Sequence, residues 1–288
     1  MIVVMEPDAA GTAIESVISY LVAGGFEVHR SSGKSRTILG VMGEITANDV
    51  AVVRELEGVA EVVRVSEPYR LASRRFRQGS TFVDGTWGTI GGRHPWIAIE
   101  AIGLETNGER SVAELPYEVA AGRPFDAAVT RSRRAPESVG ALECLTLHPS
   151  PAEPRWPVIF VERAPSWGAD AWIGAAEKQL KRQEGSVVLL EAGGEYPNGA
   201  RTLEIAAIAR VKIRSHLPIV VDVPTIAQRA RYCRSVACAA IAAGADGVVL
   251  RVWAGKEGVV PGVPATLGWA EAVELAETLR QVGAAVRR

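Results

Sequence analysis

The sequence predicts an α/β fold in two parts, a small N-terminal module followed by a larger region of alternating strands and helices. The clearest unit lies near the C-terminus. An apolar run at Pro218–Val223 is typical of a strand buried on both faces of a parallel sheet. Ala230–Ala243 has helical spacing of its apolar residues and is followed by Gly244, a typical C-terminal cap, and Gly247–Val252 is a second buried run. This order predicts a right-handed βαβ unit, whose functional loops would follow the strands.

The first 68 residues show a different order of elements. We predict strands at Met1–Met5, Phe26–Ser31, Arg36–Met42 and Ala60–Val65, and helices at Ala10–Ala23 and Ala47–Leu56. The order βαββαβ predicts a ferredoxin-like domain over residues 1–68.

Residues 69–95 are rich in arginine, glycine and serine and contain the short apolar pair Phe82-Val83, which predicts a linker that includes a hairpin. Residues 96–288 alternate between strand and helix. Strands are predicted at Trp96–Ile102, Asp126–Thr130, Leu142–Leu147, Pro157–Val161, Ser186–Leu190, Pro218–Val223 and Gly247–Val252, and helices at Glu109–Ala121, Ala169–Gln183, Thr202–Ile213, Ala230–Ala243 and Trp269–Val282. Seven strands indicate a shortened or incomplete (β/α)8 barrel of the TIM type, because Arg131–Trp156 is too short and too rich in proline for the missing crossover helices.

Composition narrows the function classes. Charged residues make up 23% of the 288 residues and the formal net charge is -1, which argues against nucleic acid or an anionic membrane as a partner. No apolar run is long enough to span a membrane, and a cytoplasmic location is expected. The three cysteines, Cys144, Cys233 and Cys238, lack metal-type spacing and are expected to be structural thiols.

Several motifs resemble one enzyme family. These are MIVVMEP, VHRSSGKSRTILGVMG and VVRVSEPYRLASRRF in the N-terminal third, and SHLPIVVDVP and AAIAAGADGVV near the C-terminus. Together they resemble the type Iβ 3-deoxy-D-arabino-heptulosonate-7-phosphate (DAHP) synthases. That family couples a ferredoxin-like regulatory domain to a barrel that condenses phosphoenolpyruvate with erythrose 4-phosphate using a divalent metal. The resemblance spans nearly the whole chain, apart from about one barrel unit around Arg131–Trp156.

The metal ligands implied by the resemblance are missing from this sequence. Gly103 stands at the family's metal cysteine, Thr225 at its histidine and Arg251 at its glutamate, and Gly262 takes the place of the fourth ligand. Without thiolate, imidazole or carboxylate donors a divalent cation has no ligand set at these positions, and we expect neither a metal nor another cofactor.

The family's phosphate and enolpyruvate contacts are also eroded, as in Arg131–Pro136, Glu162–Ala164 and Leu190–Gly193. Charged groups nevertheless remain at the predicted strand ends. These candidates are Glu100, Glu105, Arg131, Arg133, Glu162, Arg163, Glu191, Asp222 and Arg251. They can be interpreted in two ways, as groups that bind an anionic substrate and move protons, or as an ion-pair network that fills the space left by the metal.

Two functional hypotheses follow. The first is a catalytically inactive DAHP synthase homologue, a pseudoenzyme that self-associates or binds a partner protein. The second is a divergent metal-independent enzyme that acts on a phosphorylated or carboxylated small molecule. In the resembling family an aromatic amino acid binds the ferredoxin-like domain at a His-x-Ser motif, and this chain keeps His29 and Ser31 there. The resemblance thus implies a possible aromatic effector at His29 and Ser31.

Overall fold

The structure, a computed structural model, describes residues 1–32, 36–42, 45–63, 69–102, 105–106, 109–110, 125–131, 138–139, 142–147, 157–182, 185–253 and 263–286. It divides into two compact units, Met1–Pro68 and Tyr69–Arg288. In the described residues, no helix has both the length and the apolar character to cross a membrane.

The first unit has the predicted βαββαβ order. Its elements are β1 (Ile2–Met5), α1 (Gly11–Ala23), β2 (Glu27–Ser32), β3 (Thr37–Met42), α2 (Ala47–Arg54) and β4 (Val59–Val63). The sheet is antiparallel with the order β2-β3-β1-β4, so β2 is an edge strand. Val3, Leu21 and Leu39 are fully buried between the sheet and the helices, as alternating strands and an amphipathic helix require. The ferredoxin-like prediction is confirmed.

The second unit alternates strands with helices. Its elements are β5 (Val83–Gly85), β6 (Gly88–Ile90), β7 (Trp96–Ile102), β8 (Glu105–Thr106), β9 (Glu109–Arg110), β10 (Ala127–Thr130), β11 (Ser138–Val139), β12 (Leu142–Thr146), β13 (Val158–Glu162), α3 (Ala169–Arg182), β14 (Ser186–Glu191), β15 (Gly194–Glu195), β16 (Arg201–Thr202), α4 (Ile205–Arg214), β17 (Ile219–Asp222), α5 (Val223–Ala227), α6 (Ala230–Ala242), β18 (Gly247–Trp253), β19 (Thr266–Leu267) and α7 (Trp269–Val286).

Among the described residues the curled sheet has nine strands, and seven of them form a parallel path in the order β12-β10-β7-β18-β17-β14-β13. The short strand β19 pairs parallel with β18 beside this path. Strands that are neighbours in this path are also successive parallel strands along the chain. The last of them, β18, pairs with the first, β7, as in a barrel. Within the described residues β12 and β13 do not pair, and β11 runs antiparallel along the outer edge of β12. The prediction of an incomplete barrel is confirmed over the described residues, which place β12 and β13 at the two ends of the parallel path.

Two apolar layers cover the sheet. The outer layer packs the strands against the helices, for example Val161 and Leu189 with Trp172. The inner layer fills the barrel and includes Trp96 and Phe160, whose rings stack with centroids 6.4 Å apart. The hairpin of β5 and β6, predicted within the linker, adds Val83, Trp87 and Ile90 to this inner layer. Alternate residues of each strand therefore face two different environments.

One predicted helix is partly wrong. Glu109 and Arg110, placed at the start of a helix over Glu109–Ala121, instead pair as β9 with β8 in a short hairpin. The Asn107-Gly108 dipeptide between the two strands is a strong hairpin-turn signal, which outweighs the weak helical spacing of the following residues. The remainder of that predicted helix, residues 111–121, lies outside the described part of the chain.

Residues 69–81 form a strap bonded to the end of α4 and the start of β17. The Arg74 amide donates to the Arg214 carbonyl at 2.8 Å, and its Nε donates to the Lys212 carbonyl at 2.7 Å. His216 bonds the strap at both ring nitrogens, to the Leu71 carbonyl at 2.6 Å and to the Thr81 hydroxyl at 2.7 Å. The strap therefore belongs to the second unit.

Candidate functional site

Four charged side chains meet at the C-terminal end of the barrel. Glu100 lies two residues after Ala98, Arg131 two after Val129, Asp222 two after Val220 and Arg251 two after Val249, and each of these apolar residues belongs to the inner layer. Because side chains along a strand alternate between its faces, the four charged residues continue the inward-facing rows. We call Glu100, Arg131, Asp222 and Arg251 the mouth cluster.

Sheet register brings the first pair together. Arg251 is the register partner of Glu100 across β18 and β7, and its Nε and Nη2 both lie within 2.9 Å of Glu100 Oε2, at 2.9 and 2.8 Å. Arg251 Nη1 also donates to the Pro264 carbonyl at 3.0 Å. The guanidinium thus has acceptors on both sides, which holds it in the mouth.

Arg131 bridges the barrel opening. From the end of β10 its Nε donates to both Glu100 oxygens, at 3.1 and 3.2 Å, and its Nη2 donates to both Asp222 oxygens at 2.8 Å. The Arg131 side chain is 27% exposed, Glu100 13% and Asp222 2%. Two carboxylates and two guanidinium groups therefore neutralise one another in a largely enclosed space.

A short helix fixes Asp222. The carboxylate of Asp222 caps α5, accepting from the Thr225 amide at 3.4 Å and from the Thr225 hydroxyl at 2.7 Å. Pro224 in the first turn suits such a start, because its missing amide hydrogen would have no helical partner. Thr225 thus orients a carboxylate that is already paired with Arg131.

The electrostatics favour a permanently charged cluster. Burial by itself would lower the pKa of the Arg131 guanidinium, but the adjacent Asp222 and Glu100 carboxylates outweigh burial and raise that pKa above its ordinary value. Arg131 therefore stays protonated throughout the physiological range. Such a group is a poor general acid or base but a good structural counter-ion.

Arg163 and Glu191 form a second cluster on the other side of the sheet. They share the strand face of Val161 and Leu189, which pack in the outer layer against the helices. Both side chains are fully buried, with Arg163 Nε 2.6 Å and Nη2 2.8 Å from the Glu191 oxygens. The Trp167 carbonyl accepts from Arg163 Nη1 at 2.9 Å. Burial would lower the pKa of Arg163, but the bonds and charge of Glu191 raise it.

The other sequence candidates are distributed differently. Glu162 is exposed at the end of β13, in the inward row of Phe160. Arg133, Gly103 and Gly262, and the side chain of Glu105, lie outside what the structure describes. Of the nine candidates, four therefore meet in the mouth cluster and two lie beneath the helices.

The residues described at the mouth do not fit a divalent metal. The two carboxylates that face the mouth already bind guanidinium groups, and a cation there would compete with two fixed positive charges. Over the described ranges, no group of three or more histidine, cysteine, aspartate or glutamate side chains is arranged to hold a metal.

His29 and Ser31 lie on one face of the edge strand β2. Both are exposed, and His29 Nε2 is 3.2 Å from Glu27 Oε1 on the same face. Arg30, on the alternate face, instead reaches Glu15 of α1 at 2.9 Å. His29 and Ser31 therefore point away from the helices, where a ligand could reach them.

The fold and the N-terminal sequence both point to the same class of protein. Residues 1–67 match the model of the DAHP synthase ferredoxin-like domain. The first unit is therefore similar to the ferredoxin-like domain of DAHP synthases, and the second unit has the incomplete barrel described above.

Comparison of the whole chain with individual proteins shows low sequence identity but a similar fold. The chain is 24% identical to phospho-2-dehydro-3-deoxyheptonate aldolase of Thermotoga maritima, over 88% of each sequence. A crystal structure of a phospho-2-dehydro-3-deoxyheptonate aldolase (DAHP synthase) from Thermotoga maritima matches with a TM-score of 0.77 at 20% identity, covering 99% of this chain and 97% of that one. A truncated form of the Thermotoga maritima enzyme matches with a TM-score of 0.63 at 18% identity, over 76% of this chain and 98% of that one. The chain is therefore a homologue of DAHP synthases with the same fold.

Proposed function

We propose that this chain is a catalytically inactive homologue of DAHP synthase that acts in the cytoplasm as a regulatory or partner-binding protein. The observation that carries the proposal is the mouth cluster, in which each carboxylate is paired with a guanidinium group. A dianionic substrate would have to displace Glu100 from between Arg131 and Arg251. That exchange leaves a partly buried carboxylate without its partners, which is costly.

Metal-assisted condensation is disfavoured at the same place. The fixed cation of Arg251 lies beside Glu100, and Thr225 gives its hydroxyl hydrogen to Asp222 rather than a lone pair to a metal. The guanidinium groups of the mouth cluster are already neutralised by carboxylates, and these carboxylates already accept hydrogen bonds. These contacts support a structural role for the former reaction centre.

The direct test is synthase activity. We expect the purified, folded protein to form no DAHP from phosphoenolpyruvate and erythrose 4-phosphate in the presence of Mn²⁺. The Thermotoga maritima enzyme serves as the positive control, and a cooperative thermal transition shows that the tested protein is folded. Metal-dependent DAHP formation above the no-enzyme rate would reject the proposal.

We further propose that the ferredoxin-like domain binds an aromatic amino acid through His29 and Ser31. Their exposure on the open side of an edge strand and the match of this domain to the DAHP synthase family support this role. Tyrosine or phenylalanine should raise the melting temperature of the protein, and His29→Ala should abolish the increase. Ser32→Ala, an exposed change in the opposite row of β2, is the matched control and should leave it intact.

Partner binding is the remaining part of the proposal. A regulatory homologue without its own reaction should be isolated from its native host together with a second protein at constant stoichiometry. Recovery of the chain alone, with no effect of tyrosine or phenylalanine on its stability, would leave the regulatory role without support and count against it.

A further inference from the structure

The strap presents two arginines and an aromatic side chain to solvent. Arg75, Phe76 and Arg77 are consecutive and all exposed, and Phe76 keeps 57% of its surface accessible. Among the residues that the structure describes, no carboxylate lies within ion-pair distance of Arg75 or Arg77. We call these three residues the strap triplet. It combines unneutralised positive charge with an exposed apolar ring, a combination that a solvated connector does not require.

The backbone that carries the strap triplet is fixed by the strap itself. The Arg74 guanidinium donates from Nη1 to the Gln78 carbonyl at 2.8 Å and from Nη2 to the Ser80 hydroxyl at 3.3 Å. These bonds close a loop around the triplet. The Ser73 carbonyl also accepts from the amides of the last two triplet residues, at 3.0 and 3.2 Å. Side chains on a backbone ordered in advance lose less conformational entropy when they bind a partner.

The buried His216 side chain reports a positive electrostatic environment at the strap. Burial lowers the pKa of the His216 imidazole below its ordinary value, and the charges of Arg77 and Arg74 lower it further. The bond to the Leu71 carbonyl and the charge of Glu177 act in the opposite direction without reversing the shift. The cations of the strap are therefore not offset by the acidic group nearest to His216.

A second exposed arginine pair, at the start of α6, has a different environment. Arg229 and Arg231 are exposed and adjoin the exposed Tyr232. The Arg231 guanidinium lies over the Tyr232 ring, 5.0 Å from its centroid, so this charge and this ring already contact each other. Over the described ranges, no guanidinium lies over the Phe76 ring. The strap triplet thus keeps both its charges and its ring for an external partner.

We propose that the strap triplet binds an acidic segment of a partner protein, in which carboxylates flank an aromatic or large aliphatic side chain. The carboxylates pair with Arg75 and Arg77, and the apolar side chain packs on Phe76. Guanidinium groups bind carboxylates through two parallel hydrogen bonds, and arginine and aromatic residues are frequent hot spots of protein interfaces. The proposal specifies the partner class for the partner-binding part of the proposed function, and it rests on that part alone.

An acidic protein segment fits the strap triplet better than a nucleic acid or a membrane does. The charge of the triplet is local, while the chain as a whole has a formal net charge of -1. Nucleic acids and anionic membranes carry negative charge over wide surfaces and favour partners with a broad basic surface. A short acidic segment requires only the few groups that the strap presents.

The first test measures binding of the full chain to a random copolymer of glutamate and tyrosine by isothermal titration calorimetry. We expect saturable binding that weakens with added salt, and binding about tenfold weaker for Arg75→Gln/Arg77→Gln, which loses two charge-assisted contacts. Arg229→Gln/Arg231→Gln removes the same charge beside an aromatic residue and is the matched control, which should bind like the unmodified protein. No binding by the unmodified protein, or equal weakening in both double variants, would overturn the proposal.

A variant of the aromatic residue separates packing from charge. Phe76→Ala should weaken binding of the copolymer about fivefold and leave binding of poly-glutamate unchanged, because only the copolymer offers an aromatic partner. Undiminished binding of the copolymer by Phe76→Ala would reject the apolar part of the site. Tighter binding of single-stranded oligouridylate or of phosphatidylserine vesicles than of the copolymer, lost in Arg75→Gln/Arg77→Gln, would overturn the choice of a protein partner.

The His216 imidazole shows where the copolymer binds. A polyanion at the strap triplet offsets the charge of Arg77, so the pKa of His216, followed through the NMR signal of its ring, should rise when the copolymer is added. In Arg75→Gln/Arg77→Gln the same addition should leave this pKa unchanged. An unchanged pKa in the unmodified protein at saturating copolymer would place the binding elsewhere and reject the proposal. DAHP formation by a chain that still binds the copolymer in this way would reject catalytic inactivity alone.

Discussion

The mouth cluster and the Arg163–Glu191 pair use the same chemistry at the same level of the barrel but on opposite sides of the sheet. The mouth cluster faces inward and is partly accessible, with Arg131 27% exposed. Arg163 and Glu191 face outward beneath the helices, and both are fully buried. The mouth cluster therefore lies across the C-terminal end of the barrel, whereas the outward pair ties the ends of β13 and β14 to the helical layer.

The difference shows that the face of the sheet on which a charged side chain lies matters more for its role than its residue type does. Glu162 and Arg163 are adjacent in sequence, yet one follows the inward row of Phe160 and the other the outward row of Val161. A shift of one residue moves a side chain to the other face of a sheet. Arginine and glutamate at strand ends therefore indicate a catalytic site only if their side chains are known to face the inside of the barrel.

The largest expected effect is a loss of stability when the fully buried Arg163–Glu191 pair is broken. Arg163→Met leaves the Glu191 carboxylate without a counter-ion in a dry environment, and we expect a loss of about 3–5 kcal/mol in the free energy of unfolding. Urea unfolding followed by circular dichroism measures it. Arg234→Met, which removes the exposed ion pair with Glu274, is the control and should cost less than about 1 kcal/mol. Similar losses in the two variants would mean that Arg163 and Glu191 are hydrated in solution.

A smaller effect is expected in the mouth. Arg131→Met should cost about 2 kcal/mol, below the value for a fully buried pair because water reaches the guanidinium. The double-mutant cycle with Asp222→Asn should give a coupling energy of about 1–3 kcal/mol. Additive effects of the two changes would show that the contact between Arg131 Nη2 and the Asp222 carboxylate contributes nothing to stability, and the filled-mouth interpretation would fail.

The smallest effect concerns pH. The neighbouring carboxylates raise the pKa of Arg131 and of Arg163, so alkaline pH should affect the buried thiols before these two guanidinium groups. Burial, together with the charge of Glu271, raises the pKa of Cys233 from 9.0 to about 11. The unfolded thiol ionises first, so stability present at lower pH is lost as pH rises toward 11. Between about pH 8 and pH 9.5 we expect Cys233→Ala to lose about 1 kcal/mol less than the unmodified protein. Equal losses in both proteins would assign the alkaline sensitivity elsewhere, the ion-pair clusters included.

Most of the fold was predictable because its elements are strongly patterned. The bounds of β7 agree at both ends with the predicted strand, and α6 differs from its prediction by one residue. A parallel strand that is buried on both faces has a continuous run of apolar residues, which is easy to recognise in the sequence. The hairpin of β8 and β9 was missed because two-residue strands carry almost no periodic signal, although Asn107-Gly108 marked the turn.

The candidate site was predicted by composition rather than by arrangement. The sequence identified all four members of the mouth cluster, yet it could not separate them from Arg163 and Glu191. Arg163 and Glu191 each lie two residues after a residue that packs against the helices, Val161 and Leu189. This spacing distinguishes them from the inward-facing residues once the helix-covered face of the strands is known.

The sequence by itself determined the two-part organisation, the ferredoxin-like order and the parallel strands, because these follow from local patterns and residue types. Only the tertiary structure decided which charges neutralise one another. Arg131 meets Asp222 across 91 positions of sequence, and Arg251 meets Glu100 across 151. Contacts of this kind depend on sheet order and register, which bring together groups whose proximity no local pattern encodes.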